Sequence, residues 1–391
     1  MGNTLKLGNG KWATKINSIL AYSDENERFA PIPMKFSRGS IARTINQQGN
    51  IEVINTSVPR ISFDKNPKGA YFIEDERTNK ALFSKKLDES VWVKDGATVA
   101  PYPSLAPDGR PDANVIIFGA NPTSSVSQLV TTSAGTDVVR SIWLRGSLGG
   151  EVVKLSNPVT NEGTSFTLTS KWVRYDHTDF SNGASGIKIE GTAWNTVYAW
   201  GGQLEEVPFH DINPSSLIQT EGYAITRDAD KLSVKDFGNS YIIKQIGAFY
   251  IDWTWTNVDS SVGATGQKYV IAVTGDNPSD YFAITYNEGN QLGFFYVVGG
   301  FVKVYYQTRA YNVGDRLKIA FSYKTGDSTI TINGAVVNRA IDIIPPVLNK
   351  IELGYTDSSY LNSPVVTPMQ LNDFRVFNNF LTIDESRALT Q

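Results

Sequence analysis

The chain has 391 residues, 41% of them hydrophobic and 19% charged, a balance that suits two or three folded domains rather than a disordered polymer. A formal net charge of −3 offers no electrostatic case for a nucleic-acid partner, and the absence of cysteine excludes disulfides, thiolate metal sites and cysteine nucleophiles. No apolar run reaches the roughly 20 residues that cross a bilayer. The start, Met1-Gly2-Asn3-Thr4-Leu5-Lys6, lacks the apolar core of a signal peptide, and Lys6 misses the acylation pattern that a Ser or Thr there would complete. Neither membrane insertion nor a secretory leader is expected.

In chain order, the N-terminal stretch combines Leu7-Gly8-Asn9-Gly10-Lys11-Trp12-Ala13, Leu20-Ala21-Tyr22-Ser23 and Phe36-Ser37-Arg38-Gly39-Ser40-Ile41-Ala42-Arg43. It is short and irregular, and by itself it should bury little core. An extended element over Gly49–Val58 leads into a connector, Pro59-Arg60-Ile61-Ser62-Phe63-Asp64, then Lys68-Gly69-Ala70, then Ile73-Glu74-Asp75-Glu76-Arg77-Thr78-Asn79. Pro59, Pro67 and Gly69 should stiffen and turn this stretch, Glu74, Asp75, Glu76 and Arg77 should lock it by ion pairs, and Arg60 and Asn79 complete the connector string. The middle segment carries Ser90-Val91-Trp92, Ala106-Pro107-Asp108-Gly109, Val139-Arg140-Ser141-Ile142-Trp143-Leu144-Arg145, Lys171-Trp172-Val173-Arg174 and Tyr198-Ala199-Trp200-Gly201-Gly202-Gln203-Leu204-Glu205. A polar run, Thr226-Arg227-Asp228-Ala229-Asp230, closes it.

The last segment reads as a strand series. Phe249, Ile251, Trp253 and Trp255 share one face of a period-2 strand. Phe294–Val298, Gly299-Gly300 and Phe301–Tyr306 form a hairpin with a two-glycine turn. Leu317–Tyr323 and Thr329–Ile332 are strands, and Asn333-Gly334 is a second turn signal. Thr382-Ile383-Asp384-Glu385 is a capping box before the one helix signal. The fold class expected is all-β, divided into residues 1–84, 85–228 and 229–391.

The connector, the flanking strings and the order of the middle-segment motifs resemble bacteriophage fibre and spike proteins, including head and tail fibres. The middle segment looks like the carbohydrate-binding-module-like jelly roll of that family. The ending Leu371-Asn372-Asp373-Phe374-Arg375-Val376-Phe377-Asn378 with Leu381-Thr382-Ile383-Asp384-Glu385 is similar to concanavalin A-like (laminin-G-like) lectin sandwiches. The resemblance implies a virion-attachment segment with two β-sandwich or jelly-roll domains, a location on the virion after assembly in the host cytoplasm, and a homotrimer. It implies partners in capsid or tail proteins and in cell-surface or environmental glycans. Docking to the virion would fall to Leu7, Trp12 and Tyr22, and the connector would couple anchor to display domains.

Catalysis finds little support. His177 and His210 stand in unrelated contexts, no zinc motif is present, and no Glu-x-Asp-x-x-Glu string of concanavalin-type hydrolases occurs. The acidic run Glu74-Asp75-Glu76 reads as structural ion pairing with Arg77 or its neighbours, so no enzyme activity is expected. Sugar binding is the reading the aromatics permit, because flat rings stack on the apolar faces of pyranoses. Candidates are Tyr281, Tyr360, Tyr355 and Trp194, with Trp200, Tyr305 and Tyr306 behind them, although strand aromatics ordinarily pack in cores. No cofactor is expected, and the only metal the loops suggest is Ca²⁺ through Asp276, Asp280 or Asp357. Two alternatives to adhesion stay open, a purely structural virion role and a polysaccharide depolymerase.

Overall fold

The computed structural model describes residues 4–23, 27–121, 123–207, 213–235, 246–256, 267–275, 277, 279–287, 291–312, 314–340, 350–356 and 365–391. Strands dominate, all recorded pairings are antiparallel, and among the described residues the one helix is Ile383–Thr390. The chain divides into two compact units. One comprises Met1–Gly49, Ile54–Asp75 and Ala229–Gln391, the other Asn50–Val53 and Glu76–Asp228. The three consecutive segments expected from the sequence are therefore not how it folds.

In the first unit the strand Ile246–Trp255 lies between Arg316–Lys324 and Met369–Phe377. The N-terminal residues join this same sheet. Thr4–Gly8 pairs with Met369–Phe377, with Leu5 opposite Val376, and Arg28–Ser37 pairs with Lys231–Lys235, with Phe36 opposite Leu232. Residues 1–84 thus do not stand apart as an attachment element; their alternating apolar residues are spent on a core. Leu7, Ile19, Met34, Phe36, Tyr71 and Ile73 share one hydrophobic cluster with Phe249, Trp253 and Phe321. Phe249, Ile251, Trp253 and Trp255 face that core as expected, yet Tyr250 and Asp252 on the opposite face are buried too. Both predicted hairpin turns are present, with Gly299, Gly300, Asn333 and Gly334 all at positive φ, as a two-residue turn of the I′ type requires. Thr382 caps the helix, accepting from the Glu385 N–H at 3.3 Å while the Glu385 carboxylate accepts from the Thr382 N–H at 2.8 Å.

A buried ion cluster fixes this unit. Arg60 donates to Glu74 at 2.6 Å, to Asp230, and to the Arg43 carbonyl at 3.1 Å. Arg38 reaches the other Asp230 oxygen at 2.9 Å and the carbonyls of Ser40, Asn55 and Val58. The Glu74 N–H completes the Asp230 carboxylate at 3.0 Å. Burial alone would lower the Arg60 pKa, but Asp230 and Glu74 overcome it and hold it above its ordinary value. The connector's Arg60 and Glu74 meet each other, a partner for Glu74 that the sequence reading did not name, and Pro59 is buried beside them.

The second unit is built on a sheet ordered Ala97–Tyr102, Ala113–Phe118, Thr196–Val207, Ser125–Gly146, Val173–Gly191, Val152–Ser156 and Gly163–Thr167. Ile116, Phe118, Val126, Ile142, Leu144, Ile187, Val197 and Ala199 form its core. The connector's end enters this unit as a short strand, Arg77–Asn79, paired with Ile225–Arg227. Asn79 is fully buried and fully used: its amide donates to the carbonyls of Gly202 and Ile218, and its oxygen accepts from the N–H groups of Ala81 and Leu204. Arg77 is buried and reaches the Glu76 carbonyl at 3.4 Å.

Removing Arg60 leaves Asp230 and Glu74 buried without their shared cation. Arg60→Ala is expected to cost roughly 3–5 kcal/mol in chemical denaturation of the first unit. Lys86→Ala, which breaks the exposed Lys86–Glu221 pair, should leave the midpoint nearly unchanged. Equal small shifts for both variants would contradict the role assigned to the cluster.

Candidate functional site

Strand register in the second unit gathers a set of large side chains on the sheet face opposite its core. Tyr198 stands directly opposite Val115 on one side and Arg145 on the other. Leu144 is opposite Val173, which brings Trp172 beside Arg145, and Tyr102 is opposite Ala113, two residues from Val115. Because Ile116, Val197, Ala199 and Leu144 point into the core, their strand neighbours Val115, Tyr198 and Arg145 point away from it.

The result is a ladder of rings and a cation. The Tyr102 and Tyr198 rings lie 4.9 Å apart at 42°. The Arg145 guanidinium sits 4.4 Å from the Tyr198 ring centroid and 5.3 Å from that of Trp172. Trp172 is anchored by its indole N–H on the Leu105 carbonyl at 2.8 Å, and Arg145 by one terminal nitrogen on the Ser104 hydroxyl at 2.6 Å. Tyr102 remains 39% exposed, and Leu105 and Leu148 beside the ladder are 64% and 88% exposed. The loop carrying Leu148 is fixed by Glu151, whose carboxylate accepts from the Ser147 hydroxyl and from the N–H groups of Leu148 and Gly149. Partial burial works to raise the Glu151 pKa, but these donors outweigh it and hold it below the usual carboxylate range. The Tyr198 phenol is pushed up, first by its contact with the Tyr102 hydroxyl and then by partial burial.

Further along the same face the aromatics are structural. Trp143 and Trp200 meet edge to face at 5.5 Å, Arg174 covers Trp143, Lys85 covers Trp200, and the Trp200 indole donates to Asp112 at 2.9 Å. Trp200 is completely buried, so packing is its role. Trp194 is the opposite case: it is 73% exposed and its φ is +66°, a strained setting for a bulky residue.

The other sequence candidates are scattered. Tyr281 is half-buried on a strand opposite Val297, with its phenol pKa raised by burial. Asp280 beside it accepts from the Gly299 N–H at 2.6 Å and from the Asn277 amide. Tyr355 lies on a short strand paired with Val365–Val366, its side chain outside the described residues. Tyr360, Asp276, Asp357 and His210 lie outside them as well. Among the described residues no group of three acidic or His side chains is placed to hold a metal ion. Leu7 is 1% exposed and belongs to the core, which withdraws it from any docking surface. Trp12 packs half-buried against that core with its indole on the Lys68 carbonyl, and Tyr22 meets Phe29 edge to face under the Lys11 ammonium. His177 contacts the Thr164 hydroxyl at 3.0 Å, and burial first and the Arg140 charge second keep its pKa below the ordinary value.

One carboxylate pair invites a catalytic reading. Asp252 and Asp373 stand directly opposite on adjacent strands, an arrangement the sequence reading did not find because the two are 121 residues apart (373 − 252). Each is held by an arginine: Arg316 takes both Asp252 oxygens at 2.8 and 2.7 Å, and Arg375 takes one Asp373 oxygen at 2.9 and 2.6 Å. Both acids are 3% exposed. Carboxylates so enclosed and so paired serve the fold. Burial, with a smaller push from Asp252, raises the Asp373 pKa above the ordinary value despite Arg375.

No family model matches this chain, and no curated protein matches it. Among solved structures it is similar to the CBM40 of a Ruminococcus gnavus IT-sialidase bound to α2,6-sialyllactose, at 17% identity over 37% of this chain and 83% of that one, with a TM-score of 0.30. Domain 4 of a GH43 extracellular arabinanase from Geobacillus stearothermophilus, in complex with arabinotriose, matches at 14% identity over 42% and 73%, TM-score 0.30. A botulinum neurotoxin serotype D/C binding domain matches at 15% over 42% and 40%, TM-score 0.32. Similarity at this level assigns no ligand to the chain.

The raised Asp373 pKa has a sign. Its contribution favours the fold below the unfolded carboxyl pKa of about 3.9 and is lost as pH rises through the folded value. Wild type should therefore lose stability relative to Asp373→Asn as pH rises above about 4. Parallel stability curves for the two proteins above that pH would contradict the assignment.

Proposed function

We propose that this chain is a non-enzymatic adhesion protein that binds glycans through the Tyr102–Tyr198–Arg145–Trp172 face of its second unit. The observation that carries this reading is the ladder itself, a row of partly exposed rings fixed by cross-strand register and by hydrogen bonds at its edges. Sugar rings present apolar C–H faces that stack on such rings, while hydroxyls take the polar groups between them. Fixing the rings in advance lowers the ordering cost of binding. Trp194, exposed on its strained turn, adds a further ring in this unit, and Tyr281, Tyr355 and Tyr360 are secondary candidates in the first.

The setting we propose is a bacteriophage virion, as a head or tail fibre or decoration protein, on the strength of the connector and strand motifs that resemble that family. The chain would trimerise and attach through its N-terminal strands to capsid or tail proteins. Since Leu7 is in the core, Trp12 and Tyr22 are the anchoring residues that keep surface to offer.

Glycan-array screening of the full chain, with titration of the best sugar, tests the binding function. Trp172→Ala and Tyr198→Ala should each weaken binding about two- to tenfold, taking stacking as worth ~0.5–1.5 kcal/mol per ring, with the fold intact by circular dichroism. No sugar bound by a correctly folded wild type would favour the purely structural role. Reducing-end release from a bound polysaccharide would point instead to a depolymerase. Mass in solution reads the trimer directly.

A further inference from the structure

Among the described residues no carboxylate is within ion-pair distance of Arg145. Arg38, Arg60, Arg140, Arg316 and Arg375 each hold a carboxylate. Arg145 holds none among the described residues, where its hydrogen-bond acceptor is the neutral Ser104 hydroxyl. Its Nε is buried without an acceptor, and its Nη1 donates to no described residue. The acids closest along the chain or across the face are committed elsewhere. Glu151 is taken up by its own loop, and Asp108 and Asp112 pair with Lys85. Meanwhile Tyr198 and Trp172 hold the guanidinium against their rings, so its position is set before any ligand arrives.

A half-buried guanidinium with no carboxylate hydrogen-bonded to it can gain a charge-assisted hydrogen bond from a matching anion. A planar guanidinium edge fits a planar carboxylate better than a hydroxyl. Resting on the reading that this face binds glycans, we propose that it selects sugars bearing a carboxylate, uronic or sialic acid residues, and that Arg145 is the group that receives it. The pyranose ring lies against Trp172 or Tyr198 while its carboxylate meets the Arg145 Nη1, the terminal nitrogen that donates to no described residue. No bond is made or broken; the step is recognition.

The test is calorimetric titration of the full chain with trigalacturonic acid and 3′-sialyllactose against maltotriose and lactose, and with a sulfated disaccharide as a third arm. The readout is the ratio of acidic to neutral affinity. Wild type should prefer the carboxylated sugars by about tenfold or more, as expected for a charge-assisted hydrogen bond, and salt should erode that preference. Arg145→Gln should collapse the ratio towards one, and Arg145→Lys, which keeps the charge but loses the fork, should give an intermediate ratio. Equal affinity for acidic and neutral sugars, or an unchanged ratio in folded Arg145→Gln, overturns this proposal while leaving glycan binding in place. Tighter binding of the sulfated arm overturns the carboxylate assignment. Binding of none of the sugars overturns both readings. Should Arg145→Gln fail to fold, the ratio in Arg145→Lys decides.

Discussion

The first unit depends on a single buried carboxylate. Asp230 takes Arg38 and Arg60 side chains and the Glu74 N–H, partners 192, 170 and 156 residues away in sequence. Ions inside a protein cost many kcal/mol unless they are paired and their remaining groups satisfied. None of these four residues can therefore be buried early and alone; strands from the N-terminal third and the C-terminal half must close together around them. That condition gives the N-terminal strands their place in the sheet beside Met369–Phe377 and Lys231–Lys235. Asn79 plays the comparable part in the second unit, where one amide side chain answers four backbone groups. The connector is thus a string of buried polar keystones, a guanidinium, a carboxylate and an amide, and of the Arg60 and Asn79 polar atoms only the Arg60 Nε is buried without an acceptor among the described residues.

With each core fixed in this way, what is left outward on the second sheet acquires meaning. Period-2 alternation sends Leu144, Val197 and Ala199 inward and Arg145 and Tyr198 outward, and the register sets them side by side. The same face holds two kinds of aromatic cluster. Trp200 is buried under Lys85 and tied to Asp112, and Trp143 packs half-buried against it under Arg174. Tyr102, Tyr198 and Trp172 remain partly open around a cation that forms no ion pair among the described residues. The contrast separates packing from recognition within one face. In the first unit the paired acids Asp252 and Asp373 show the reverse, a constellation that resembles catalysis in position but is closed off by Arg316 and Arg375.

Local chemistry made the strand-rich character legible. The Gly299-Gly300 and Asn333-Gly334 turns, the Thr382 capping box and the inward row Phe249, Ile251, Trp253 and Trp255 all follow from short-range rules, and all are present. What escaped was long-range. Nothing in Thr4–Gly8 says that it will pair with Met369–Phe377, so residues 1–84 read as an attachment element of their own. The site escaped for the same reason. Trp172, Tyr198 and Arg145 appear in separate motifs, and only strand pairing brings them together; a single-residue scan picked Trp200, which is core, and Trp194, which is exposed but isolated in sequence. Burial of Tyr250 and Asp252 on the second face of their strand likewise depends on Arg316 and Arg375 from distant strands.

The central claim is that the open end of this aromatic face is where ligand sits. The chain has eight tryptophans, and their indole N–H signals can be resolved by nitrogen-15 NMR and assigned by single substitution. On titration with a bound sugar, the Trp172 indole should shift strongly while those of the buried Trp200 and Trp253 hold still. Saturating shifts at Trp200 or Trp253 with Trp172 unmoved would contradict the account.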